Sequence, residues 1–143
     1  TPERTPMPGY TIKNLTEIDD AAKASREAAV MDEVPDIEAR FARGHIDSEH
    51  LGLTHMRYGP DTRTPFGHSH REQEEVYVVL SGSGQVKLDD DIRDIGQWDI
   101  VRVAPATVRA FHSGPDGLEL LIAASDRPEG GDGVPGPADF WPA

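Results

Sequence analysis

The sequence contains no cysteine. That excludes disulfides and any metal site built on thiolates. A chain without disulfides suits a reducing compartment, so a cytoplasmic location is expected. Apolar runs are short, and none approaches the roughly 20 residues of a membrane-spanning helix. The first residues lack the charged and apolar regions of a signal peptide. Basic residues are scarce as well: 14 Lys and Arg stand against 26 Asp and Glu, a formal net charge of -12. Phosphate backbones repel such a chain, so neither nucleic acid nor a membrane is an expected partner. There is no nucleophile elbow, phosphate loop or dinucleotide fingerprint, and no repeat of solenoid length.

What remains is 143 residues, enough for one domain with its own core. Residues 1–9 hold three prolines and read as extended. Thr16 and Asp19 have the spacing of a capping box, and residues 17–31 are rich in Ala, Glu, Lys and Arg. This predicts one short N-terminal helix ending before Pro35. From Ile37 the pattern changes to short runs of Val, Ile, Leu, Phe and Tyr between turn signals, the spacing of a sandwich or barrel. Predicted strands cover 37–43, 51–58, 66–70, 75–80, 84–88, 93–95, 100–103, 107–112 and 118–123. The breaks are GPD at Gly59, SGSG at Ser81, LDDD at Leu88 and SGPDG at Ser113. A solvated hairpin tip is the expected role of Asp89, Asp90 and Asp91.

The final segment, 125–143, has four prolines and four glycines, so no regular structure is expected there. It nevertheless ends in Phe140 and Trp141, which should dock on the body or on a neighbouring subunit. The chain thus divides into an extension with one short helix (1–36), an all-β barrel (37–124) and a Pro/Gly-rich tail (125–143). In VYVVL both strand faces are apolar, Tyr77 and Val79 on one, Val76, Val78 and Leu80 on the other. Something must cover the second face, and a homodimer is the expected solution.

The stretch FGHSHREQEEVYVVLSGSG, from Phe66 to Gly84, carries the chemistry. Residues i and i+2 of a strand share a face, so His68 and His70 project together. Glu75 follows a polar turn, which could return the chain and set its carboxylate beside the imidazoles. Two histidines and a carboxylate suit a divalent transition metal and leave coordination positions open. Iron, manganese, nickel, zinc and copper all fit such donors. HSH with a downstream glutamate is a weak signal alone, since surface histidines are common.

The flanks sharpen it. The order Gly67, HSH, four residues, Glu75, six residues, Gly82 resembles the first motif of the cupin superfamily. GQWDIVRVAPATVRAFHSG, from Gly96 to Gly114, is similar to its second motif. The hairpin between them has the expected length and character, and the match covers roughly residues 51 to 124. The resemblance implies a jelly-roll β-barrel, or double-stranded β-helix, with metal-binding residues His68, His70 and Glu75 lining its interior. It also implies a small-molecule cavity.

Two positions depart from the pattern. Where the second motif usually offers a histidine four residues after its proline, Pro105 is followed at that place by Arg109; His112, three further on, faces the other way on a regular strand. Trp98 stands where a glycine often precedes the aspartate. Arginine does not ligate a metal at ordinary pH. Two outcomes stay open. Arg109 pairs with Glu75 and replaces the metal, or the three remaining ligands hold a metal and Arg109 binds an anionic group. Tyr77 shares the face of Glu75 and Phe111 that of Arg109, so both are candidate cavity walls. His55 is a further candidate, while His45, His50 and His112 read as surface residues.

The functional expectation is a small-molecule protein, either a metal-dependent enzyme of oxygenase or isomerase type or a non-catalytic, metal-free module in which Arg109 captures an anion. Whether it is an enzyme at all is left open, because no general acid or base stands out beyond the candidate ligands.

Overall fold

The structure, a computed structural model, describes residues 9–23 and 35–142. Among the described residues eight strands follow one another: β1 (Ile37–Phe41), β2 (Gly52–Tyr58), β3 (His68–His70), β4 (Glu75–Leu88), β5 (Asp91–Gly96), β6 (Ile100–Val103), β7 (Arg109–Ala124) and β8 (Gly133–Pro135). They form one antiparallel sheet that folds over on itself.

The fold is organised by β4 and β7, which pair from Glu75↔Ala124 to Leu88↔Arg109. Along the first half of β4, β7 continues into β2 and β1, and β4 also pairs with β6. Along the second half, β4 pairs with β5, while β7 adjoins β3, and β3 in turn pairs with β8. The two halves face each other across a core of Tyr58, Tyr77, Val79, Val86, Val103, Phe111, Leu118, Leu120 and Ile122. Alternation explains the choice: Tyr77 and Val79 point inward and are buried, whereas Val76 and Val78 point out and are half-buried.

The sequence reading split β4 and β7 into two strands each, at SGSG and SGPDG. Both run through. Their register shifts between Val79 and Ser81 and between Gly82 and Gly84, so the turn-like residues bend the ladder without ending it. Gly82 and Gly117 each have φ of +79°, and a Cβ on Gly82 would lie 2.1 Å from the carbonyl oxygen of Gly117. These two glycines permit the corner at which one half passes to the other.

At the N-terminus the described residues hold a 3-10 turn, Leu15–Glu17, and Lys23 is helical. The cap of the turn is Asn14, whose side chain accepts from the Thr16 amide at 2.9 Å, in place of the expected Thr16–Asp19 box. Ile18 is already extended. The next residues lie against β1, where the Asp20 carboxylate accepts from the amides of Ala22 and Ala39 and Ala21 donates to the Ala39 carbonyl. Tertiary hydrogen bonds therefore displace the start of the expected 17–31 helix; residues 24–31 of it lie outside the described residues. No described helix is long and apolar enough to cross a membrane.

The C-terminal segment is more ordered than its composition predicts, since β8 adds a strand beside β3. Trp141 is buried on the body of its own chain and donates from Nε1 to the Thr64 carbonyl at 2.8 Å. It also packs edge-on against His112, with ring centroids 5.7 Å apart. His112 is accordingly half-buried rather than a surface residue, with Nε2 2.7 Å from Asp61 Oδ1. Phe140 lies 3.9 Å from Lys87 Nζ and covers that side of β4.

Trp98, the departure in the second motif, has φ of +71°, a conformation that suits glycine. It is held there by its amide, which donates a hydrogen bond to the Val79 carbonyl at 2.8 Å. A bulky residue in this region is strained by about 1–2 kcal/mol, partly offset in a glycine variant by greater unfolded-state entropy of about 0.4–1 kcal/mol. The Trp98 side chain is largely exposed, so little burial is lost. Trp98→Gly should therefore raise stability by about 0.5–1 kcal/mol in chemical unfolding; a marked loss would show that the turn is unstrained.

Candidate metal centre

β3 is short because its neighbours, not its own propensity, define it. It carries His68 and His70 on one face. The polar segment over 71–74 follows, and Glu75 opens β4 beside them. Glu75 Oε1 lies 3.2 Å from His70 Nε2 and 3.9 Å from His68 Nε2. One ligand atom from each of the three residues can be chosen so that all lie within 4.8 Å of one another. The two imidazoles meet edge to face, with centroids 5.2 Å apart. His68 is 45% exposed while His70 and Glu75 are each 13%, so the cluster opens to solvent on the His68 side.

Two further groups reach the same carboxylate oxygen. Tyr77 donates its hydroxyl to Glu75 Oε1 at 2.7 Å, and Arg109 Nη2 lies 3.8 Å away. Arg109 opens β7 opposite His68 and is 0% exposed. Its other contacts are long hydrogen bonds to backbone carbonyls, 3.4 Å to His68 and 3.3 Å to Ala104. Burial pushes the Glu75 carboxyl up, but His68, the Tyr77 hydroxyl, His70 and the Arg109 guanidinium together bring it below the ordinary carboxylate range. Burial, reinforced by the neighbouring Glu75 charge, pushes the Tyr77 phenol well above its usual value and keeps it a donor.

Two buried nitrogens here have no hydrogen-bond partner among the described residues, His70 Nε2 and Arg109 Nε. A bare imidazole nitrogen facing a carboxylate is what a metal ligand needs. The donor set therefore fits a divalent transition ion, with the guanidinium as a charge the ion must tolerate.

Phe111 is buried with its ring 4.7 Å from that of Tyr77, so both back the cluster from the core. His55 is not brought there. It pairs with Leu121 across β2 and β7, one residue out of phase with the inward Met56 and Tyr58. It therefore sits on the outer face, 3.7 Å from Glu119. Nor do two clefts of about 540 and 650 Å³ include His68, His70 or Glu75; the first is lined by Asp61, Gln85 and His112 among others, the second by Lys87 and Phe140.

Sequence reasoning missed Asp132. This aspartate, just before β8, is 4% exposed and sets Oδ1 2.9 Å from His70 Nδ1. Its Oδ2 accepts the amides of Glu72 and Gln73, each at 2.8 Å. Burial opposes its charge, but the Glu72 amide, His70 and the Gln73 amide pull the carboxyl down to about 2. The only signal in sequence is an acidic residue in a glycine-rich run, EGGDG, 62 residues from the histidine it meets.

No family model matches the sequence, and no curated protein matches it. Solved structures do. KdgF from Halomonas sp. is 15% identical, with 73% of this chain and 92% of that one covered at a TM-score of 0.58. A cupin protein from Bacteroides fragilis is 18% identical, with 84% and 86% covered and a TM-score of 0.60. An oxalate decarboxylase from B. subtilis reaches a TM-score of 0.65 at 19% identity over 85% of this chain but 32% of its own. The fold of this chain is the cupin fold.

The Tyr77 hydroxyl can be removed without touching a candidate ligand. Tyr77→Phe should raise the Glu75 pKa, because the carboxylate loses one charge-assisted hydrogen bond. Because the folded carboxyl titrates below its unfolded value, its stabilising contribution is present above the ordinary carboxylate range and is lost as pH falls through the folded pKa. The variant should lose this contribution at higher pH. Carbon-13 NMR of the glutamate carboxyls follows the change, and an unmoved Glu75 would place the hydroxyl elsewhere.

Proposed function

We propose that this protein is a small cupin enzyme, of oxygenase or isomerase type, that holds a divalent transition metal through His68, His70 and Glu75. The observation that carries the reading is the buried, partnerless His70 Nε2 beside a buried carboxylate and a second imidazole. A buried polar nitrogen without a partner is costly, and a metal relieves that cost. When bound, the ion supplies Lewis acidity toward a substrate oxygen, or redox chemistry with dioxygen if it is redox-active. The chain's own residues do the rest. Tyr77 and Arg109 keep Glu75 ionised. Arg109 offers a fixed positive charge to a carboxylate or other anionic group of a small substrate, which bidentate geometry favours. The exposed edge of His68 marks the side from which that molecule enters. KdgF, oxalate decarboxylase and the polyketide cyclase RemF share the fold, and fold alone does not choose a reaction among them.

Arg109 supports a second reading: a metal-free module in which its guanidinium captures an anionic ligand. Its partnerless Nε favours this. Zinc calorimetry above the histidine pKa separates the two. In the first reading the wild type binds about one zinc per chain, and Arg109→His, which removes the charge and adds a nitrogen, binds at least about tenfold more tightly, about 1.4 kcal/mol. Equal or weaker binding by the variant would mean that Arg109 does not oppose the metal. Absence of binding in both would leave the anion-binding module.

We further propose that two copies associate through the outer face that carries Val76, Val78 and the largely exposed Ile100. Trp141 is occupied within its own chain, so the dimer should survive deletion of 137–142. Sedimentation showing monomer at micromolar concentration, with or without the deletion, would refute this.

A further inference from the structure

On the barrel side β3 is held by the His70 amide, which donates to the Pro105 carbonyl at 2.8 Å, and by Arg109 Nη1, which donates to the His68 carbonyl at 3.4 Å. The strand meets β7 at one register position, His68↔Arg109. On its other edge it pairs with β8 at three: His68↔Pro135, Ser69↔Val134 and His70↔Gly133. The hydrogen bonds run on in both directions, from the Gly136 amide to the Gly67 carbonyl and from the Arg71 amide to the Asp132 carbonyl. One whole edge of the strand that carries both histidines is thus secured by the C-terminal segment, and that segment also delivers Asp132.

An ionised carboxylate only accepts hydrogen bonds. His70 has a carboxylate at both ring nitrogens, but only Nδ1, 2.9 Å from Asp132 Oδ1, has hydrogen-bond geometry; Nε2, 3.2 Å from Glu75 Oε1, does not, so the neutral ring carries its hydrogen on Nδ1. In the neutral ring this leaves Nε2 bare, and Nε2 is the buried nitrogen without a partner that faces Glu75. Asp132 is itself fixed by the two backbone amides on Oδ2, so it cannot turn to suit the other tautomer. The ring is oriented from behind by a carboxylate, the arrangement that prepares a histidine for a metal.

We infer that Asp132 is the positioning residue of His70, holding it as the Nδ1–H tautomer, and that the strap over residues 132–141 is thereby coupled to occupancy of the metal site. The first part stands on the geometry alone; the coupling rests on the metal reading proposed above. Coupling is reciprocal. Whatever factor the docked strap adds to metal affinity, the metal must return to strap docking.

The test uses the full chain. Nitrogen-15 NMR of the histidine rings in metal-free protein, above the histidine pKa, should show wild-type His70 with hydrogen on Nδ1. In Asp132→Asn the side-chain oxygen can keep the two backbone amides while its NH2 faces the ring, so His70 should change to the Nε2–H tautomer. Zinc calorimetry should then show affinity reduced about 10- to 100-fold. Zinc should slow hydrogen exchange at the Gly136 amide in the wild type and do so less in the variant. A wild-type His70 with hydrogen on Nε2, which needs no variant to fold, would overturn the positioning role. An unchanged tautomer in Asp132→Asn would do the same. Exchange at Gly136 indifferent to bound zinc would overturn the coupling. If the wild type binds no zinc, the metal reading fails and the coupling with it, while the tautomer still decides the role of Asp132.

Discussion

One carboxylate oxygen, Oε1 of Glu75, is the point on which the site converges. Tyr77, His70, Arg109 and His68 stand 2.7, 3.2, 3.8 and 3.9 Å from it. A largely buried negative charge must be compensated, and leaving it unpaired would cost several kcal/mol. The surrounding fold can be understood as the means of bringing those partners together. β3 supplies the imidazoles, β4 the carboxylate and the phenol, and β7 the guanidinium. The glycine corners of β4 and β7 let one pair of strands serve both halves of the barrel, so that β7 meets the neighbouring β3 and β4 at its mouth.

The compensation is uneven. Arg109 is wholly buried, yet it stands too far from Glu75 for a tight bidentate pair and leans on backbone carbonyls instead. His70 has an unused nitrogen. A closed ion pair would use up both groups, whereas here each keeps capacity toward something else. That unspent capacity is the physical reason for reading a binding site rather than a structural cluster.

Much of this was legible in the sequence because it rests on local rules. The period of two put His68 and His70 on one face, and the resemblance of the flanks to the cupin motifs pointed to the fold. What was not legible depends on long-range contacts. The glycines of SGSG and SGPDG have the same residue chemistry whether they end a strand or bend it, and only the partner strand decides. His55 required a register for β2 before its face was known. Asp132 lies in a stretch whose Pro and Gly content reads as unstructured, and its order comes from pairing with β3 rather than from any propensity of its own. Trp98 departs from the motif, and its positive φ explains why glycine suits that place.

The central claim is that His68, His70 and Glu75 together form a metal centre and Arg109 does not ligate. X-ray absorption at the zinc edge of the zinc-loaded protein tests it most directly. The account predicts scattering from two imidazoles with the remaining near neighbours oxygen, and loss of one imidazole in His70→Ala. A spectrum without imidazole scattering, or one unchanged by that substitution, would contradict it.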